Sequence, residues 1–328
     1  MKIRFAPSPT GLFHVGNLRT AFISWRLSEV ADVPLHLRFE DIDTARSSTE
    51  FAETQLQDLN DFGIFPHEIS YQREFHGQHF QAFEKALKLG DIYPCFCSRR
   101  EVLGDLQRAP NFSGASDGIA LRLHQPSVEY SGKCRSLNWD PADFDKTLKK
   151  YPQGWGWRFR SKKDSGGLRD FLVARTLGTG SGEWCPAYNW ACAWDDFALG
   201  PCLLVRAWDL ESSEEIQREL RYYWAESLRV SAAPRIFTYF TSLVTTESGK
   251  RLEKRDRQLT FREIKGKISI DKIRASFERS WHEPLEGLVP KLGMIRESFG
   301  ESSKIISINK LFDKLFDELF RKSSGEKF

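Results

Sequence analysis

The chain has 328 residues, 40% of them hydrophobic and 28% charged, with a formal net charge of +3. That length suits one large α/β unit or two to three smaller domains, and that apolar content excludes a disordered chain. The mild charge is no mark of nucleic-acid binding by itself, no apolar run is long enough for a membrane span, and six cysteines without a secretion signal do not make a disulfide framework, so a reduced, cytoplasmic protein with no membrane association is expected.

In chain order, Ile3 to Ala6 reads as a short strand that ends in the turn Pro7-Ser8-Pro9-Thr10-Gly11. Gly16-Asn17 opens an amphipathic helix with Leu18, Ala21, Phe22 and Trp25 on its inner side. Leu35 to Phe39 is the next strand, with Glu40-Asp41-Ile42-Asp43 at its C-terminal end. Helices are expected over about Ser48 to Phe62 and Gly77 to Leu89. Strand and helix in this alternation predict an α/β fold with a parallel sheet and crossover helices.

The pattern breaks between Pro94 and Gly156, where Cys, Pro, Gly and Ser are frequent, and this stretch reads as an inserted subdomain. Alternation resumes with strands at Trp157 to Arg160 and Asp170 to Arg175. A helix near Ala187 to Trp194, a strand at Cys202 to Arg206 and a helix from Ser213 to Ser227 follow. Past Phe261 the chain reads as helical to its end. There, Asn309 to Lys322 repeats Leu-Phe pairs at a spacing of four, an apolar face expected to pack on its own domain. The expected division is therefore 1–93 and 157–245 for the two halves of one sheet domain, 94–156 for the insertion and 246–328 for a basic loop and helical tail.

Chemistry concentrates at the ends of the predicted strands. A turn that leads from a strand into a helix offers free N–H groups and the positive end of the helix dipole to an anion. Gly11 and Gly16 allow close backbone approach, and His14 stands where it can donate to a phosphate oxygen. Alone, the same residues also fit an ordinary turn and a structural histidine. Cys95 and Cys97, followed by Tyr130 and Cys134, have a spacing that could close a tetrahedral zinc site or simply supply buried thiols. Cys185, Cys192 and Cys202 read as core thiols. The basic clusters at Lys149-Lys150, Arg158 to Lys163 and Lys250 to Arg257 could be solvated faces or phosphate contacts, with Lys162, Lys163 and Arg169 as candidates.

Taken together, Arg4-Phe5-Ala6-Pro7-Ser8-Pro9-Thr10-Gly11 and His14-Val15-Gly16-Asn17 resemble the signature of the glutamyl- and glutaminyl-tRNA synthetases of class I. Residues 37–43, Pro186 to Trp190 through Asp195-Asp196, Val205 to Leu210 and the Lys-rich Gly249 to Arg255 resemble later elements of that family, in family order. The resemblance implies a Rossmann-type parallel sheet with an inserted zinc-bearing subdomain and a short helical C-terminal region. It implies ATP, used with Mg2+, at His14, Gly16, Asn17 and Lys254, with His14 and Lys254 catalytic. It implies L-glutamate at Arg4, Phe5, Ala6, Pro7, Ser8, Glu40, Tyr188 and Arg206. Arginine suits a carboxylate because its fork bonds bidentately, and a neutral glutamine would leave it unpaired.

The cysteine elements further resemble those of the family's truncated branch, the glutamyl-queuosine tRNA(Asp) synthetases. That branch implies zinc at Cys95, Cys97, Tyr130 and Cys134, and transfer of activated glutamate to queuosine in tRNA(Asp) by a monomer. Only about 70 residues follow Arg255, which suits the truncated branch better than one with an anticodon-binding region. Asn17, Glu253, Ala207 and Trp208 depart from the family pattern, and residues 98–129 are longer than the branch's own. A discriminating glutamyl-tRNA synthetase without its anticodon domain, or a synthetase-like binding protein without turnover, are the alternatives.

Overall fold

Residues 1–73, 199–211 and 234–328 form one unit, and residues 74–198 and 212–233 form another. The computed structural model describes residues 1–98, 101–102, 130–162, 170–178, 183–231, 233–245, 260–280 and 305–307. The first elements are β1 (Lys2–Phe5), α1 (Val15–Ala31), β2 (Leu35–Phe39), α2 (Thr49–Asp61), β3 (Glu68–Tyr71), α3 (His76–Lys88) and β4 (Ile92–Cys95). Next come α4 (Phe144–Lys150), β5 (Gly154–Phe159), β6 (Phe171–Leu177), β7 (Trp184–Pro186), α5 (Tyr188–Leu199) and β8 (Cys202–Ala207). The last are α6 (Glu211–Ser227), β9 (Ile236–Thr241), β10 (Leu243–Thr245), α7 (Phe261–Lys265), α8 (Ile270–Ser280) and β11 (Ile305–Ser307).

The first unit carries the expected parallel sheet, in the order β3-β2-β1-β8-β9. Period-two alternation gives that sheet two unlike faces. Ile3, Phe5, Leu35, Leu37, Phe39, Leu203 and Val205 enter one apolar core with Phe13, Leu18 and Phe22. Ser48 caps α2 by accepting from the Phe51 N–H at 3.1 Å, and Gly63, at φ +76°, ends it in the left-handed region. Phe62 then plugs the core: its ring lies 6.0 Å from Phe22, 5.6 Å from Phe261 and 5.7 Å from Phe277. One side chain thereby joins α1, α7 and α8.

The second unit holds a four-stranded antiparallel sheet, β4-β5-β6-β7. The stretch 94–156, read as an insertion, falls wholly within this unit, and 157–198 joins it there. The strands around Trp157 and Ala174 therefore do not continue the parallel sheet. Only residues 160–170 connect β5 to β6, too short for the crossover that parallel pairing needs. Trp157, Trp190 and Trp224 are fully buried in this unit's own core.

The tail departs from the expected helix. Ile305–Ser307 pairs in parallel with Leu243–Thr245, as suits a short run containing two β-branched isoleucines. Asn309 to Lys322 lies outside the described residues. Among the described residues no helix is long and apolar enough to cross a membrane.

Candidate functional site

In the first unit's sheet, β1 feeds β2 on one side and lies beside β8 on the other, so the winding direction reverses between β1 and β8. Such a switch point opens a crevice at the C-terminal strand ends, where ligands bind in sheets of this kind. The register sets Arg4 beside His36 and Leu204. Arg38 on β2 and Arg206 on β8 are two residues further along, so Arg4, Arg38 and Arg206 share the face opposite the apolar core. All three are buried, as is Glu40 just past β2. Arg38 Nη2 lies 3.3 Å from Glu40 Oε1. His36, on the same face, meets Ser70 Oγ at 2.8 Å. Burial first, then the Arg38 charge, pulls its pKa down to about 4, so the ring is neutral at physiological pH.

The turn after β1 is held by backbone bonds and one side chain. Glu40 N–H donates to Pro7 O at 3.0 Å, and Ser48 N–H donates to Pro9 O at 3.1 Å. Gln55, buried on α2, donates to Gly11 O at 2.7 Å and Ser8 O at 3.3 Å. Ala6 and Ser8 remain half-buried at this end of the sheet, while Pro7 is buried. Phe5 differs from its neighbours: its side chain belongs to the apolar core, 6.2 Å from Phe13.

His14 caps α1. Its Nδ1 accepts from the N–H groups of Gly16 at 3.1 Å and Asn17 at 3.3 Å. In a neutral imidazole with Nδ1 accepting, the proton sits on Nε2, which makes that atom a donor. Lys254 lies in 246–259, outside the described residues. The chain after that stretch is fastened to the His14 turn, and the chain before it packs against α1. On the entering side, a β-carbon at Gly16 would lie 3.7 Å from Val244 Cβ, and Thr241 Oγ1 meets Thr20 Oγ1 at 2.9 Å. On the returning side, Thr260 forms a β-bridge with His14, and Phe261 N–H donates to Phe13 O at 2.9 Å.

The second unit gathers the four predicted metal ligands. The sulfurs of Cys95, Cys97 and Cys134 all lie within 4.8 Å of one another. Cys97 Sγ is 3.6 Å from Cys134 Sγ, and the Tyr130 hydroxyl is 3.4 Å from Cys95 Sγ and 3.8 Å from Cys97 Sγ. Tetrahedral zinc–thiolate bonds of ~2.3 Å put sulfurs about 3.8 Å apart, so the donor set fits that ion. Burial, then the Cys95 charge, pushes the Cys97 thiol up to about 12. Burial also opposes the Cys95 thiolate, but its hydrogen bonds with Tyr130 and Arg158 outweigh it and hold that thiol below the ordinary range. Arg158 Nε donates to Cys95 Sγ at 3.3 Å, and its guanidinium lies 3.8 Å over the Tyr130 ring. A β-bulge between Trp157 and Arg158 falls where that side chain turns to the cluster.

Several other candidates settle differently. Tyr188 is the half-buried first residue of α5, in the second unit. Arg158 and Arg160 are engaged internally: Arg160 donates to Gly90 O and Arg135 O. Lys162 sits 3.7 Å from Glu226, while Lys163 and Arg169 lie outside the described residues. Cys192 and Cys202 are core thiols as expected, and Cys185 is half-buried. Arg38, Gln55 and Arg158 were not singled out for these contacts from sequence. Gln55 carried a signal, a polar residue among the inward positions Ala52, Asp58 and Leu59 of α2.

Comparison with known proteins adds the following. Residues 1–127 match the family model described as the catalytic domain of class I tRNA synthetases (E and Q). The chain is 28% identical to a glutamate–tRNA ligase 2 of Syntrophus aciditrophicus (strain SB) over 94% of its own length and 60% of that protein's. It therefore spans well under two thirds of that relative. It is 31% identical to a glutamyl-Q tRNA(Asp) synthetase of Nocardia farcinica (strain IFM 10152), over 78% of its own length and 76% of that protein's. The crystal structure of a glutamate–tRNA synthetase from Elizabethkingia anophelis shares the fold, with a TM-score of 0.59 at 19% identity, covering 99% of this chain and 72% of that one.

Proposed function

We propose, from the premise that this chain belongs to the glutamyl and glutaminyl family of class I tRNA synthetases, that it activates L-glutamate with ATP and transfers it to queuosine in tRNA(Asp). The observation that carries the reading is the buried sheet face at the switch point, where Arg4 and Arg206 stand with Glu40. Two guanidinium forks suit the side-chain carboxylate, and one carboxylate suits the ammonium. The substrate's α-carboxylate then attacks the α-phosphate of ATP, and pyrophosphate leaves. No protein nucleophile is needed; positioning and charge stabilisation supply the acceleration.

His14 Nε2–H donates to a phosphate oxygen in this reading. Lys254, which precedes the Thr260 bridge to His14 in sequence, is assigned to the triphosphate. The assignment of Tyr188 to glutamate rests on the family resemblance alone, and Mg2+ would accompany the triphosphate and offset its charge. Cys95, Cys97, Tyr130 and Cys134 would hold a structural zinc, which would tie β4 to the chain around Tyr130 and Cys134.

The Cys-Cys-Tyr-Cys donor set and the Nocardia relative favour queuosine as acceptor. Alignment of 94% of the chain with a glutamate–tRNA ligase favours a second reading, transfer to tRNA(Glu). Labelled glutamate, offered with tRNA(Asp) carrying queuosine, tRNA(Asp) lacking it and tRNA(Glu), separates the two. Label on the first alone is the expected result; label on tRNA(Glu) alone contradicts the acceptor assignment.

A further inference from the structure

Asp170, the residue before β6, has a fully buried side chain, paired with the partly exposed Arg135. Its carboxylate takes three donors. Oδ1 accepts from Arg135 Nη1 and from the Ser161 N–H at 3.1 Å, and Oδ2 accepts from the Tyr93 hydroxyl at 2.5 Å. Its backbone carbonyl accepts from Arg158 Nη1 at 2.9 Å. The two arginines lead to two separate arms of the cysteine cluster. Arg135 follows Cys134 directly, and Arg158 donates from Nε to Cys95 Sγ at 3.3 Å. The turn from Tyr130 to Cys134 closes on itself: Arg135 N–H donates to Gly132 O at 2.8 Å, and Cys134 N–H donates to the Tyr130 hydroxyl at 2.8 Å. Such local bonds shape the turn without setting where it sits against β4 and β5. Contacts with the sheet do that: Asp170 with the Arg135 side chain, Arg160 donating to Arg135 O at 2.8 Å, and Arg158 over the Tyr130 ring. A buried anion behind ligands that bind metal as anions is unfavourable unless cations join them. Arg135 and Arg158 supply those cations.

We propose that Asp170 is a positioning residue for the metal: its carboxylate seats Arg135 and its carbonyl seats Arg158, which together hold Cys134 and Cys95 at zinc-binding separation before the ion arrives. The inference rests on the reading of this cluster as a zinc site. A preformed ligand set loses less conformational freedom on binding, so the contribution of Asp170 is read as affinity. Loss of the carboxylate frees the Arg135 arm, and the turn that carries Cys134 must then be ordered by the ion itself.

The test is chelator competition for zinc by the full chain, with the melting temperature of the metal-free protein measured alongside, for D170A, R135M, the double variant and Y93F. Asp170→Ala is expected to weaken zinc binding about 10- to 100-fold, the range for partners that orient metal ligands. Arg135→Met cuts the same pair from its partly exposed side and weakens zinc similarly, which guards against a buried variant that fails to fold. The double variant binds no more weakly than Asp170→Ala. Tyr93→Phe removes a donor to the same carboxylate and keeps the ring, so it lowers the melting temperature of the metal-free protein and leaves zinc affinity unchanged. Unchanged affinity in Asp170→Ala or Arg135→Met, full additivity in the double variant, or an equal loss in Tyr93→Phe overturns the inference while the zinc reading stands. An unaltered chain that takes up no zinc overturns that reading and this inference with it.

Discussion

The imidazole of His14 caps α1 and, in the proposed mechanism, also donates to a phosphate; two substitutions pull these roles apart. Its Nδ1 accepts from Gly16 and Asn17 N–H at 3.1 and 3.3 Å, capping α1. Its Nε2–H is the atom assigned to the phosphate. Alanine removes both functions; asparagine, a strong N-cap residue, restores the cap and not the phosphate donor. Loss of the cap costs about 1 kcal/mol, a drop of roughly 2–4 °C in the melting temperature of a unit of 150–250 residues. Loss of a donor aimed at developing charge costs roughly 100- to 1,000-fold in rate. His14→Ala should therefore melt a few degrees lower and lose exchange activity, whereas His14→Asn should melt like the unaltered chain and still lose activity. Thermal unfolding and ATP–pyrophosphate exchange on the same preparations read both. Wild-type exchange by the asparagine variant refutes the phosphate role, and equal melting of all three proteins refutes the cap.

Other outcomes follow from the same geometry. Phe62→Ala leaves a cavity among Phe22, Phe261 and Phe277 and should cost about 3–5 kcal/mol in denaturant unfolding; a loss under about 1 kcal/mol contradicts the packing account. Gly63→Ala forces a side chain into φ +76° with its β-carbon against Arg274 Nη2, so it should destabilise by about 1 kcal/mol or more, and neutral melting would count against the turn. Arg158→Gln removes a donor to Cys95 and the cation over Tyr130, and chelator competition should show zinc affinity about 10- to 100-fold weaker; unchanged affinity refutes that support. Because His36 falls from 6.5 to about 4 on folding, the unfolded chain binds the extra proton between those values. Its contribution, at most about 3 kcal/mol, is complete above pH 6.5 and is lost as pH falls toward 4. His36→Gln should flatten that part of the stability profile.

The parallel sheet was legible because β1 and β2 alternate apolar with polar or charged residues, and α2 because its inward residues keep a helical spacing; α1, expected to be amphipathic, is instead buried continuously from Leu18 to Ser24. The placement of Arg4 and Glu40 near strand ends and of His14 at the start of α1 was legible because sequence order and spatial order nearly coincide there. The antiparallel sheet was not. β4 and β5 pair Ile92 with Phe159 across a long separation, and local periodicity cannot tell a buried parallel strand from a buried antiparallel one. Arg158 read as a surface cation since nothing in its neighbours announces a bulge. Ile305–Ser307 read as helix because three residues are too few to carry a period, and their strand exists only through pairing with Leu243–Thr245. Arg38 was hidden by its own motif, adjacent to the acidic residues that drew the assignment.

The most direct test of the account is ATP–pyrophosphate exchange with the purified chain in the absence of any tRNA. Exchange that depends on L-glutamate, is not supported by L-glutamine, and is lost in Arg206→Leu is the predicted result, since a buried guanidinium pair selects a carboxylate over a neutral amide. No exchange with any amino acid, or exchange only when tRNA(Glu) is added, contradicts it.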